Sequence, residues 1–127
     1  MINLIPLGDT YTIYQLNENQ EIPPHVFTSG FYSITRTNDE ISVLSNSKSD
    51  FKFLRSSKGW KGYKVEGILD FSLTGIICDI TKPLKDNNMG VFVISTFNTD
   101  YVFVKEDSFD RSLEIFNLTD NIRIKNE

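Results

Sequence analysis

The chain has 127 residues, with thirteen Lys and Arg against seventeen Asp and Glu for a net charge of −4. That length excludes a string of independent domains and leaves one compact domain or two closely packed half-sized modules, while the acidic balance opposes attraction to DNA, RNA or an anionic membrane. A lone Cys78 and a lone His25 exclude an internal disulfide and the usual zinc sets; MINLIPLGD lacks a signal pattern and no run reaches the roughly 20 apolar residues of a membrane span, so a cytoplasmic protein without metal or cofactor is expected.

Thr10–Leu16 (TYTIYQL) is rich in aromatic and β-branched residues, with Ile13 facing opposite to Tyr14 and Leu16 in places, and reads as a strand. Pro23 and Pro24 interrupt the pattern and imply a loop. Phe31–Arg36 and Ile41–Leu44 are two further strands, joined by Thr37–Glu40, where Asn38 and Asp39 suit a hairpin turn. From Ser45 to Gly59 the sequence is polar and turn-rich, with Phe51, Phe53 and Leu54 as its apolar anchors. The boundary between modules is placed here, giving residues 1–58 and 59–127.

The second module is more regular. Tyr63 and Val65 alternate with Lys64 and Glu66 in a strand. Leu73, Ile76, Ile77, Ile80 and Leu84 recur at helical spacing, with Asp79, Lys82 and Lys85 on the other side. Ser72 or Thr74 is expected to cap this helix, Pro83 to bend or end it, and Asp86–Asn88 to stop it. Val91–Ile94 and Tyr101–Val104 are continuous apolar runs, expected as strands inside the sheet. Phe109, Leu113 and Phe116 share one face of a second helix, opened by Asp107 or Ser108, and a short strand follows around Ile122 and Ile124. The order βαββαβ is that of the ferredoxin-like α+β fold, four antiparallel strands with two helices on one face. Such a fold hosts many functions, so residues must decide among them.

The segments VEGILDFSLTGI (65–76) and ISTFNTDY (94–101) resemble the ACT-domain family of small regulatory amino-acid-binding modules. More narrowly they are similar to stand-alone bacterial tandem ACT proteins related to the cytosolic arginine sensor of animals. The upstream FTSGFYSITRTNDEISVLSN (27–46) resembles a degenerate, sheet-rich ACT-like first half, so the likeness covers nearly the whole chain. The resemblance implies a ligand site formed by Asp70, Ser72, Leu73, Thr74, Gly75 and Ile76 with Thr96, Phe97, Asn98 and Asp100, in which Asp100 matches the aspartate that holds the ligand's cationic group. It also implies a homodimer. The chain carries no kinase, dehydratase or dehydrogenase domain of the kind ACT modules control, so an output acting on a separate effector protein is expected.

The residues themselves leave alternatives open. In Asp70–Ile76 a strand hands over to a helix, and free N–H groups at the helix start favour a bound carboxylate, with Gly75 keeping the approach open; ordinary capping by Ser72 and Thr74 is the other reading. In Ser95–Asp100 a polar turn offers carbonyls and a carboxylate to an ammonium or guanidinium, or else Asn98 and Asp100 merely satisfy local backbone groups. Trp60 reads as packing between modules, His25 as solvated, and Cys78 as a small buried residue. The function expected is a non-catalytic sensor of a small amino acid or related metabolite at an ACT module interface. Its alternatives are a ligand-free dimerisation module and a small phosphatase, which lacks an arginine in a phosphate-cradling loop among Arg36, Arg55, Arg111 and Arg123. RNA binding is a further alternative, opposed by the acidic balance and by VFVIS and YVFVK, which lack the RNA-recognition strand pattern.

Overall fold

The computed structural model describes residues 1–46, 51–67 and 75–126. Its strands are β1 (Ile2–Leu16), β2 (Ser33–Arg36), β3 (Ile41–Asn46), β4 (Arg55–Val65), β5 (Val91–Ser95), β6 (Asp100–Lys105) and β7 (Ile122–Ile124), with helices α1 (Ile76–Asp86) and α2 (Phe109–Asn117). The chain divides into two compact units, Asp9–Trp60 and a second that joins Met1–Gly8 to Lys61–Glu127.

In the unit Asp9–Trp60 the strand order is β2-β3-β1-β4. β1 pairs antiparallel with β3 from Tyr11↔Asn46 to Leu16↔Ile41, and β2 with β3 from Ser33↔Leu44 to Arg36↔Ile41. Alternation on these strands turns Tyr14, Leu16, Ile41 and Val43 into a small core. Val26 joins that core because Pro24–Thr28 is a single 3-10 turn rather than open loop; proline at its start supplies a φ already suited to helix. Phe51 and Phe53 flank Tyr14, with ring centroids 4.5 Å and 5.3 Å away. The polar stretch before Gly59 holds the start of β4, and Gly59 lies within that strand at φ +76, a conformation that glycine adopts at a bulge and that hides the strand from an alternation pattern.

In the unit Met1–Gly8 with Lys61–Glu127 the order is β7-β1-β4-β6-β5. The α+β, ferredoxin-like succession βαββαβ is present from β4 to β7, but the start of β1 is inserted between β4 and β7, so the sheet exceeds the four antiparallel strands expected. Ile2–Leu4 pair with Ile122–Ile124 in parallel, which places residues 1–8, counted in the first module on sequence, with the second unit. Pro6 masked this strand; it is tolerated because the β7 pairing ends at Leu4, whose carbonyl accepts from the Lys125 N–H.

Tyr63 and Val65 of β4 and Val102 and Val104 of β6 form one layer, and Ile80, Leu84, Ile115 and Phe116 of the two helices close over it. Pro83 stays inside α1, which continues to Asp86 and is closed by Asn87, whose Nδ2 donates to the Pro83 carbonyl. Asn88 then leaves the helix at φ +58. Neither Asp107 nor Ser108 caps α2 through its side chain: a 3-10 turn, Glu106–Ser108, leads into it instead. The two apolar strands differ. Val102–Val104 of β6 are fully buried, whereas β5 is half-buried at the end of the strand order, since a central strand has neighbours on both sides and an edge strand only one. Cys78, read on sequence as buried, is exposed beside Asp79, because the helix turns its apolar stripe through Ile77 and Ile80.

Candidate functional site

The turn between β5 and β6 is built by its threonines. Ser95↔Asp100 is the last pair of the two strands. Beyond it the Thr96 N–H donates to the Thr99 carbonyl at 2.8 Å, Thr96 Oγ1 donates to the same carbonyl at 3.0 Å, and the Thr99 N–H donates back to Thr96 Oγ1 at 3.3 Å. Thr99 is 3% exposed and its Oγ1 donates to the Val65 carbonyl at 2.7 Å. The hairpin is thereby held at the end of β4 from which the chain departs towards α1. Among the described residues neither Asn98 nor the Asp100 carboxylate supplies a hydrogen bond to the turn. Asp100 heads β6, half-buried, with Phe97 and Asn98 exposed at the tip.

At the other loop, Asp70, Ser72, Leu73 and Thr74 lie outside the described residues. Gly75 is the residue before α1, with φ +85 and ψ −8, and a side chain at that φ would be strained. Among the described residues a Cβ there would meet nothing within 4 Å. Gly75 itself has no side chain to cap the helix, and the expected caps Ser72 and Thr74 lie outside the described residues; the first-turn N–H groups have no intrahelical partners, while the Asp79 N–H begins the ladder by donating to the Gly75 carbonyl. Ile76 faces inward against the core. Of the expected site residues, the described ones therefore sit on two elements: Gly75 and Ile76 at the head of α1, and Thr96, Phe97, Asn98 and Asp100 on the anchored hairpin.

Sequence reasoning passed over the residues that brace this end of the sheet. Glu66, next to Val65, accepts from Lys125 Nζ at 2.6 Å and from Asn3 Nδ2 at 3.1 Å. The hydrogen bond from Lys125, more than any other influence, holds the Glu66 carboxyl below its ordinary range. Deeper, Tyr63 shares a 2.6 Å hydrogen bond with Ser112 and stacks on Phe109 with centroids 5.1 Å apart; burial pushes its phenol well above the usual range. A separate groove of about 350 Å³ runs beside the second half of α1, lined by Asp79, Lys82, Pro83, Asp86, Thr119, Asp120 and Asn121. None of the expected site residues lines it. Among the described residues no set of His, Cys, Asp and Glu side chains is arranged to hold a metal, and no helix is long and apolar enough to cross a membrane.

The chain is similar to an Agrobacterium tumefaciens protein of known crystal structure, 31% identical, superposing with a TM-score of 0.89 over 99% of this chain and 93% of that one. A family model described as an ACT domain matches residues 55–117, and another, described as an N-terminal domain, matches residues 9–48. The chain belongs to the ACT-domain family. It is also similar to the human cytosolic arginine sensor for mTORC1 subunit 1, 30% identical over 93 residues, which are 67% of this chain and 28% of that protein. The bovine counterpart is 29% identical over 109 residues, 73% of this chain and 33% of its own. The chain thus spans about a third of these curated relatives. The regulatory subunit of aspartate kinase from Thermus thermophilus, at 5% identity and a TM-score of 0.61 over 93% of this chain and 97% of that one, shares the ACT fold alone.

Proposed function

We propose that this ACT protein is a cytoplasmic, non-catalytic sensor that binds an amino acid or related metabolite between the head of α1 and the β5–β6 hairpin, and signals to a separate effector protein. The observation that carries this reading is Asp100: it heads β6 on a hairpin anchored to β4, and its carboxylate is not consumed by the turn. A carboxylate so placed suits an ammonium or guanidinium, and the first-turn N–H groups of α1, which have no intrahelical acceptor, suit an α-carboxylate. The relative named as an arginine sensor makes L-arginine the first ligand to try. Because β5 ends the strand order of its unit, the reading includes a homodimer in which a second copy completes the site.

Thermal unfolding in the presence of each standard amino acid tests the proposal, since a ligand at about 100 times its Kd stabilises the folded state by about 2.7 kcal/mol. L-Arginine, or another amino acid with a cationic side chain, is expected to raise the Tm, and Asp100→Ala to weaken its binding by about 10- to 100-fold in calorimetry. If no amino acid raises the Tm while sedimentation shows a dimer, the chain is a ligand-free dimerisation module instead.

A further inference from the structure

We propose that Thr99 is a positioning residue of the ligand hairpin, and that Thr96 serves the same lock rather than touching ligand. This rests on reading the 95–100 hairpin as part of the amino-acid site. A four-residue turn fixes its own shape but not its direction, because a hairpin can hinge where its strands end. Here a side chain crosses from the turn to the neighbouring strand: Thr99 Oγ1 donates to the Val65 carbonyl at 2.7 Å, within a region where Thr99 is 3% exposed. Water therefore offers that hydroxyl and that carbonyl little replacement. Asp100 is the next residue, so the direction of its carboxylate follows from how firmly Thr99 is held.

Thr96 completes the device from the other side. Its Oγ1 donates to the Thr99 carbonyl at 3.0 Å and accepts the Thr99 N–H at 3.3 Å. The one proton of its hydroxyl is thus committed to the turn, and a ligand would have to break that bond to use it. Two threonines of the STFNTD stretch consequently do mechanical work, and neither of their bonds uses the Asp100 side chain.

The test uses the whole chain, with L-arginine as the probe and hydrogen exchange as a second readout. Thr99→Val keeps the side-chain volume and removes the hydroxyl; Thr99→Ser keeps the hydroxyl and removes a methyl. In Thr99→Val the Thr96 and residue-99 amides are expected to exchange about tenfold faster relative to those of Val102 and Val104, and the Kd for L-arginine to rise about five- to tenfold, whereas Thr99→Ser restores both. A role confined to general stability would speed the β6 amides as well, and would not be rescued by serine. Should Thr99→Val fail to fold, Thr96→Val opens the same lock and is read in the same way. Unchanged exchange at the turn, or equal losses in the serine and valine variants, overturns the proposal. If wild-type protein binds no amino acid but the exchange pattern is as expected, the sensor reading fails and the lock stands.

Discussion

The turns Thr37–Glu40 and Thr96–Thr99 share a plan: each opens on a threonine whose N–H donates to the carbonyl of the fourth residue, at 2.9 Å and 2.8 Å, and whose Oγ1 accepts that residue's N–H, at 3.2 Å and 3.3 Å. In the first, the chain passes from half-buried Glu40 straight to Ile41, which packs into the core of its unit. In the second it passes from a buried Thr99, bonded to the Val65 carbonyl, to the charged Asp100. One threonine per turn is sufficient for local shape. A second threonine anchors the later turn to β4, and there the following position carries a carboxylate where its counterpart carries core.

The largest test of this contrast lies under the anchored hairpin. Phe103 of β6 is opposite Phe92 of β5 and stacked on it, with centroids 4.6 Å apart. A Cβ on Gly62 of β4 would stand 2.6 Å from the Phe103 ring and 2.8 Å from Leu7. Gly62→Ala is therefore expected to destabilise the protein by about 2–3 kcal/mol in urea unfolding, as overpacking does. Gly90→Ala, where a Cβ meets nothing within 4 Å, should stay within about 0.5 kcal/mol of wild type. Equal effects from the two would show that β4 and β6 are not closely packed beneath the hairpin.

The paired turns can be compared directly through their threonines. Thr99→Val removes a buried hydrogen bond and is expected to cost about 1–2 kcal/mol; Thr37→Val removes an exposed acceptor of two N–H groups and is expected to cost about 0.5 kcal/mol, because water replaces it. Urea midpoints at constant m measure the difference. Costs of the same size would mean that the bond to Val65 anchors nothing.

Much of this organisation is legible without coordinates. The spacing of Ile76, Ile77, Ile80 and Leu84, and of Phe109, Leu113 and Phe116, announces two helices, and strand-like runs before, between and after them yield βαββαβ. What escapes is whatever depends on partners far along the chain. VFVI and YVFV look alike, and only the sheet order separates the edge from the centre. Ile2–Leu4 lie beside Pro6 and become a strand by pairing with β7, at the opposite end of the sequence. Asp100 is marked by family resemblance, whereas Thr99 gains its meaning from a carbonyl 34 residues away. Local rules did not choose well in the turn either: Asn38, Asp39 and Asn98 are favoured turn residues, yet threonine hydroxyls make the bonds described there.

The smallest expected effect concerns acid. Val65, which receives the Thr99 hydroxyl, is followed by Glu66, whose carboxylate is held by Lys125 and Asn3; among the described residues no ion pair reaches the Thr37–Glu40 turn. The Glu66 carboxyl is depressed, first by the hydrogen bond from Lys125, so its folded form binds a proton less readily than the unfolded chain. Its contribution is thus complete above the ordinary glutamate value of about 4.3 and is lost as pH falls through the lower, folded value. Both partners are partly exposed, so salt and water keep the contribution small. Lys125→Gln should move the Glu66 midpoint upward towards the ordinary range in a carboxyl NMR titration, and carry the acid response of the Thr96 and Thr99 amides upward with it. The amides of Asp39 and Glu40 should titrate identically in both proteins. A Glu66 midpoint indifferent to the substitution would place the cause of its depression elsewhere, and an unmoved hairpin would show that the brace at Glu66 does not extend through Val65 to Thr99.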